Sequence, residues 1–256
     1  MKLSITTATT IALGVALSLS SANAFFDAPS SEELLAAYPA LETTEREGNP
    51  LILCPFLRML ERSGRLDEVE QESGEQIIEN RDLKRAANDF GCDTTTACGP
   101  VIDTVSAGQC LTEEFSLSNL NPFKPSVVDL ERLWEAPPVS HECGFTFENG
   151  LGENGVSATR LESTLAKLLD RADDNDHLVY QDILDTKNEI CAEEGVIISA
   201  PGLIEAQLIF AYLGGVERGY VEYDDVAGFL AIDSKMPQTK AARPISAPYL
   251  LLVNAN

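Results

Sequence analysis

Three short stretches carry residues whose types and spacing could do chemistry. In NPLILCPFLRML, Cys54 precedes Pro55. Proline is favoured at the first position of a helix, so Cys54 stands at a helix N-cap. Unpaired backbone N–H groups and the positive end of the helix dipole meet there, and both favour thiolate over thiol. That is the setting of a nucleophilic or metal-ligating sulfur, with the N–H groups of Leu57 and Arg58 expected to hold it. A buried small hydrophobe or half of a disulfide is the plainer alternative. In GENGVSATR, Glu153 lies four residues before Ser157. A carboxylate and a hydroxyl so placed could share a hard cation such as Mg²⁺; a turn followed by ordinary capping is the other reading. In HLVYQDILDTKNEI, Asp182, Asp185 and Glu189 fall on one helical face, with Lys187 nearby. An acid aimed into an apolar cavity can serve as a general acid or base, whereas such a row is otherwise a solvated face.

The elements that must position these residues read as mainly α. The chain has 256 residues, 44% of them hydrophobic, enough for one sizeable core. Lys2 and the apolar run IALGVALSL, closed by Ala22 and Ala24, predict a signal peptide over 1–24, with an N-terminal extension over 25–47 and one helical domain over 48–256. No later segment has the roughly 20 apolar residues of a membrane span. The formal net charge of −23 excludes nucleic acid and anionic membranes as partners, since both need clustered Lys and Arg. A capping box at Ser30 and Glu33 predicts a helix in SEELLAAY. Pro55 and Gly64 bound a second, PFLRMLERSG, with Phe56, Leu57 and Leu60 inward. Leu161, Leu165, Leu168 and Leu169 mark a third in SATRLESTLAKLLDRA, capped by Thr159 and Glu162. Further helices are expected over 178–193, 203–213 and 222–232. The segment 66–90 reads as moderately helical, 91–140 as mostly loop, VIISA as the best strand, and the Pro-bearing tail as a surface wrap. Phe56, Phe145, Phe147 and Phe210 could line a substrate channel or simply pack in the core.

Six cysteines and an oxidising compartment permit disulfides. Cys92 and Cys98 are the natural local pair. If Cys54 is kept for chemistry, the other five give two bridges and one odd thiol. Zinc is not expected from these spacings, with His141 and His177 the only histidines.

In order along the chain, these motifs resemble the haem-thiolate peroxidase family of chloroperoxidases and unspecific peroxygenases. Cys54-Pro55 in ILCPFLRMLERSG is similar to its proximal ligand motif. Glu153, Ser157, Thr159 and Arg160 match its Glu-X-Asp-X-Ser-X-Thr/Ser-Arg segment, and AYLGGVERGYVEYDDVAGFLAIDSKMPQ resembles its closing helices. The resemblance spans roughly 48–245. It implies a mainly helical single domain of the chloroperoxidase type and a secreted oxidoreductase. It further implies haem b on Cys54, with Pro55 beside it, and a Mg²⁺ held by Glu153 and Ser157. The substrates it implies are hydrogen peroxide and a small organic molecule or halide. Gly155 stands where the family has Asp, and Asp185, followed by Lys187, is the best match to its catalytic Glu, with Asp182 as rival. Two other readings compete: a haem-free relative, and a calcium module. RADDNDHLVYQD has the length of a calcium loop between helices. Its first, third, fifth and sixth positions, however, are Arg171, Asp173, Asn175 and Asp176, and RGYVEYDD follows ligand positions filled by Gly214, Val216 and Arg218.

Overall fold

The computed structural model describes residues 27–43, 46–66, 77–109, 127–136, 140–148 and 150–255. The expected leader, Cys110 and most of the acidic stretch after Leu66 lie outside them. The described chain is mainly helical, with two small antiparallel sheets.

Helix α1 (Ser31–Ala37) is capped by Ser30 and Glu33 as the capping box requires. Its Leu34, with Leu41, joins the main core, so the N-terminal extension packs as part of the domain. Helix α2 (Pro55–Arg62) begins at N-cap Cys54 with proline at its first position. It stops where Gly64, at φ 78°, turns the chain into a left-handed conformation that costs glycine little. Leu60 is buried as expected and Phe56 and Leu57 partly so, but Arg58 and Arg62 are buried too. Arg62 explains itself: its guanidinium donates to the carbonyls of Leu41, Arg46 and Asp233, among others, and so ties three segments together.

The region 91–140 departs from the loop expected of its Gly, Thr and Pro content. Strand β1 (Ile77–Glu79) leads into α3 (Asn80–Asp89); then α4 (Cys98–Gln109) forms and β2 (Val127–Asp129) pairs with β1, Ile78 opposite Val128. Low propensity is overridden by burial of Ile102 and Val105 and by Gln109. The Gln109 side chain donates to the carbonyls of Asp129 and Arg132 and accepts from the Asp129 N–H. VIISA is not a strand; it leads into Ser199, the N-cap of α7 (Ala200–Tyr212). The tail is no mere surface wrap, since Ile245, Tyr249 and Val253 are buried.

The C-terminal half contains two helix–loop–helix units. Helix α5 (Ala158–Arg171) runs through β3 (His177–Leu178) into α6 (Tyr180–Glu193). Helix α7 runs through the short α8 (Gly215–Arg218) and β4 (Val221–Glu222) into α9 (Tyr223–Leu230). The two loops pair antiparallel, with Leu178 opposite Val221, both fully buried. Burial of each such side chain contributes about 1.5–3 kcal/mol. Helix α6 packs on α5 and α7, and α2 on α9. No helix among the described residues is long and apolar enough to cross a membrane.

Candidate functional site

Cys54 forms no disulfide and is half-buried. The other described cysteines pair as Cys92–Cys98, the expected local bridge, and Cys143–Cys191. The Cys54 side chain makes no capping hydrogen bond. Burial pushes the thiol up from its ordinary pKa; the N–H of Leu57, the charge of Arg58 and the N–H of Phe56 pull against that, and Glu205 pushes up again. The N–H of Arg58, expected at the sulfur, instead donates to the Cys54 carbonyl at 3.0 Å, as an ordinary helix bond. Pro55 fixes the first turn, and its carbonyl accepts from Ser234 Oγ at 2.6 Å.

The loop carrying Glu153 docks on the cysteine segment. Val156 donates its N–H to the Pro50 carbonyl at 2.8 Å. Gly152, at φ 95°, comes so close that a Cβ there would meet Leu53 at 2.5 Å; Gly155, at φ 76°, would put one 2.7 Å from the Pro50 oxygen. Gly155 is therefore required by its backbone where the family pattern has Asp. The two expected oxygen ligands do not fit Mg²⁺ as they stand. The Glu153 carboxylate folds back onto the N–H of Leu151, and Ser157, rather than Thr159, is the N-cap of α5, its hydroxyl accepting from the Arg160 N–H.

Asp185 does not face the cysteine. The buried stripe of α6 is Ile183, Thr186, Lys187, Ile190 and Cys191. At 100° per residue, Asp185 lies on the opposite side. It is exposed and accepts from Gln181 Nε2. Asp182 caps the start of α6 through the Val179 N–H, and Glu189 pairs with Lys167 and Arg171. The acidic row is a solvated face, because the helix had to turn its apolar stripe inward.

The carboxylate on the cysteine side is Glu205, from α7. Lys187, fully buried on α6, donates to its Oε2, and His141 Nε2 lies 3.1 Å from the same oxygen. Lys187 Nζ also sits 4.7 Å from the Phe145 ring centroid. Burial would raise the Glu205 pKa, but the charges of Lys187 and His141 more than reverse it, to about 2. Glu205 is thus ionised at any working pH, and it interacts electrostatically with Cys54. His141 is positioned by its segment: Phe145 accepts from Thr164 Oγ1, Thr146 accepts from the Ser157 N–H, and Cys143 is bonded to Cys191 of α6. Of the four phenylalanines considered for a channel, Phe145, Phe147 and Phe210 are core residues and Phe56 is partly buried.

A signal for Glu205 was present. In LIEAQLIFAYL it is the lone charge in a helix otherwise apolar nearly all round, and buried charges persist only when paired. Its partners, His141 and Lys187, lie 64 and 18 residues away, so nothing local announces them.

Cys54 offers a half-buried sulfur outside any disulfide at a helix N-terminus, a donor type iron accepts; burial and Glu205 oppose its thiolate form, while the N–H groups of Leu57 and Phe56 and the charge of Arg58 favour it. The paired helix–loop–helix units do not make a calcium site. Arg171 is bound to Glu189, and Asp173 accepts the N–H groups of Asn175 and His177. Among the described residues no three His, Cys, Asp or Glu side chains converge to hold a metal. Neither a protein-family model nor a curated protein matches the chain.

Proposed function

We propose that this chain is an exported haem-thiolate oxidoreductase that uses hydrogen peroxide to oxidise a small organic molecule or a halide. Cys54 would hold the haem iron, and the proton-handling acid is Glu205 in place of Asp185. The single observation behind this reading is the half-buried Cys54, outside any disulfide, at the N-cap of α2 directly before Pro55. Export is supported by the leader expected over 1–24 and by two disulfides, which persist in oxidising compartments.

Haem bound through a thiolate supplies the oxidising power for peroxide chemistry, the thiolate donating electron density that favours O–O cleavage. The chain's own residues do the rest. Glu205, kept ionised by Lys187, is the carboxylate that would accept the reactant's proton, and the same ion pair lowers its basicity. Lys187 Nζ and His141 Nε2, the latter at 3.1 Å, both engage Glu205 Oε2. Phe145 packs against Lys187 and Phe147 against His141.

Adding haem to the purified chain is expected to give a Soret band that is lost in Cys54→Ala. Peroxide-dependent oxidation is expected to fall on the order of 10²–10⁴-fold in Glu205→Gln and to be little changed in Asp185→Asn. A chain that binds no haem, or binds it equally well without Cys54, sinks the reading.

A further inference from the structure

The C-terminal tail is clasped by the loop that the Cys92–Cys98 disulfide closes. The Ile245 N–H donates to the Gly91 carbonyl at 2.9 Å and the Asp93 N–H to the Ile245 carbonyl at 2.9 Å, so that Cys92 and Ile245 form a parallel bridge. Farther round the loop, Thr96 Oγ1 accepts the Ala247 N–H at 3.2 Å. That hydroxyl is oriented by Asp93, whose carboxylate accepts from both Thr95 and Thr96. The Cys92 sulfur itself lies 3.9 Å from the Ile245 oxygen. Beyond the clasp, α10 (Ala247–Leu251) packs on α7. Ile245, Tyr249 and Val253 are buried, and the Tyr249 hydroxyl donates to Glu217 of α8. The clasp thus fastens a strap across α7 and α8.

The two disulfides differ in what can reach them. Cys143 and Cys191 are both buried, so their bond lies inside the core. In the other pair Cys92 is buried but Cys98 is only partly so, and the adjoining Thr95 and Thr96 are exposed. Exposed disulfides are the ones that exchange readily. The enclosed residues, DTTTA, bring little apolar surface to hold the loop once the bond is gone. We infer that Cys92–Cys98 is a redox latch: as the disulfide it clasps Ile245 and Ala247, and as the dithiol it releases the strap from α7 and α8. The opening agent is a dithiol. Its thiolate attacks Cys98 Sγ, the S–S bond breaks, and Cys92 leaves as a thiolate that takes up a proton beside the Ile245 carbonyl. The agent's second thiol then displaces Cys98 as a thiol and closes the agent's own disulfide, so two electrons and two protons pass to the chain. Closing is the reverse exchange with a disulfide-bearing oxidant, which latches the tail when an exported chain reaches an oxidising compartment. None of these residues belongs to the proposed haem site.

The test uses the full mature chain with both disulfides formed, and the double variants Cys92→Ala/Cys98→Ala and Cys143→Ala/Cys191→Ala. Graded dithiothreitol, followed by iodoacetamide and peptide mass mapping, reads which bond opens first. Hydrogen exchange then follows segment 241–253, with α5 as the reference. Cys92 and Cys98 are expected to be alkylated before Cys143 and Cys191. In that partly reduced chain, and in Cys92→Ala/Cys98→Ala, the tail is expected to exchange on the order of 10-fold faster while α5 is unchanged. Opening of Cys143–Cys191 first overturns the latch, and so does a tail that stays equally protected with Cys92–Cys98 open. A tail released just as much in Cys143→Ala/Cys191→Ala also overturns it, because the loosening is then general. If Cys92→Ala/Cys98→Ala does not fold, the partly reduced wild type decides: a faster tail beside an unchanged α5 supports the latch, and an unchanged tail overturns it.

Discussion

The junction of α2 and α7, where Phe56 meets Tyr212 edge-on at 5.2 Å, and the paired loops of β3 and β4 stand in contrast. Around Cys54 the backbone is ordinary helix, and the chemistry lies in side chains that helices rarely bury: Arg58, Lys187 and Glu205. At the paired loops the backbone is distinctive. Two helix–loop–helix units join with Leu178 against Val221, and Asp176, at φ 61°, and Gly219, at φ 80°, occupy corresponding left-handed positions just before the strands. Yet their side chains cap, stack and pair with one another, as in the His177–Tyr220 stack at 3.8 Å, and converge on no ligand. A scaffold keeps its shape through apolar pairing alone, whereas a site needs charges whose burial must be offset by partners from elsewhere in the fold.

Breaking the charged side of this contrast should have the largest effect. Lys187→Met leaves Glu205 buried with only His141, and urea unfolding is expected to show a loss of about 3–5 kcal/mol. Combining it with Glu205→Gln should recover a large part, a coupling that a double-mutant cycle reads directly. Opening the Cys143–Cys191 bridge, which closes a span of 48 residues, is expected to cost about 4 kcal/mol, against about 2 kcal/mol for the six-residue Cys92–Cys98 span. Unfolding of the paired Cys→Ser variants compares them.

Acid sharpens the comparison next. Against the effect of burial, the charges of Lys187 and His141 depress the Glu205 pKa from the ordinary carboxyl value to about 2. Its contribution is therefore fully present above the unfolded carboxyl's pKa and is lost as pH falls from about 4.5 towards 2. The amount at stake is about 3 kcal/mol, measured by urea midpoints across that range, and Glu205→Gln should remove this part of the acid sensitivity. The paired loops should respond least. Asp176→Gly places glycine at a left-handed position and is expected to change stability by no more than about 0.5 kcal/mol, checked by the same unfolding curves.

The helices were legible wherever local signals agreed with packing. Pro55 with Gly64, the Ser30–Glu33 capping box, and the leucine spacing of α5 each specify an element from adjacent residues. α4 was not legible, because its Gly, Pro and Thr content argues against a helix that only burial and the long-range bonds of Gln109 support. For the site, Cys54 could be read from its place before Pro55. The acid could not: Asp185 had the right spacing to its neighbours, but which face of α6 turns inward depends on what packs against it.

By itself the sequence determined the mainly helical class, the start of α2 with Cys54 at its N-cap, and the failure of the calcium loops as ligand sets. These depend on periodicity, capping and residue type within a few positions. The tertiary structure decided that Glu205 rather than Asp185 lies on the cysteine side, that Lys187 and His141 hold it, and that Arg58 is buried without a carboxylate. Each of those rests on residues brought together by packing, and the free energy of a buried charge is set by neighbours that chain order does not reveal.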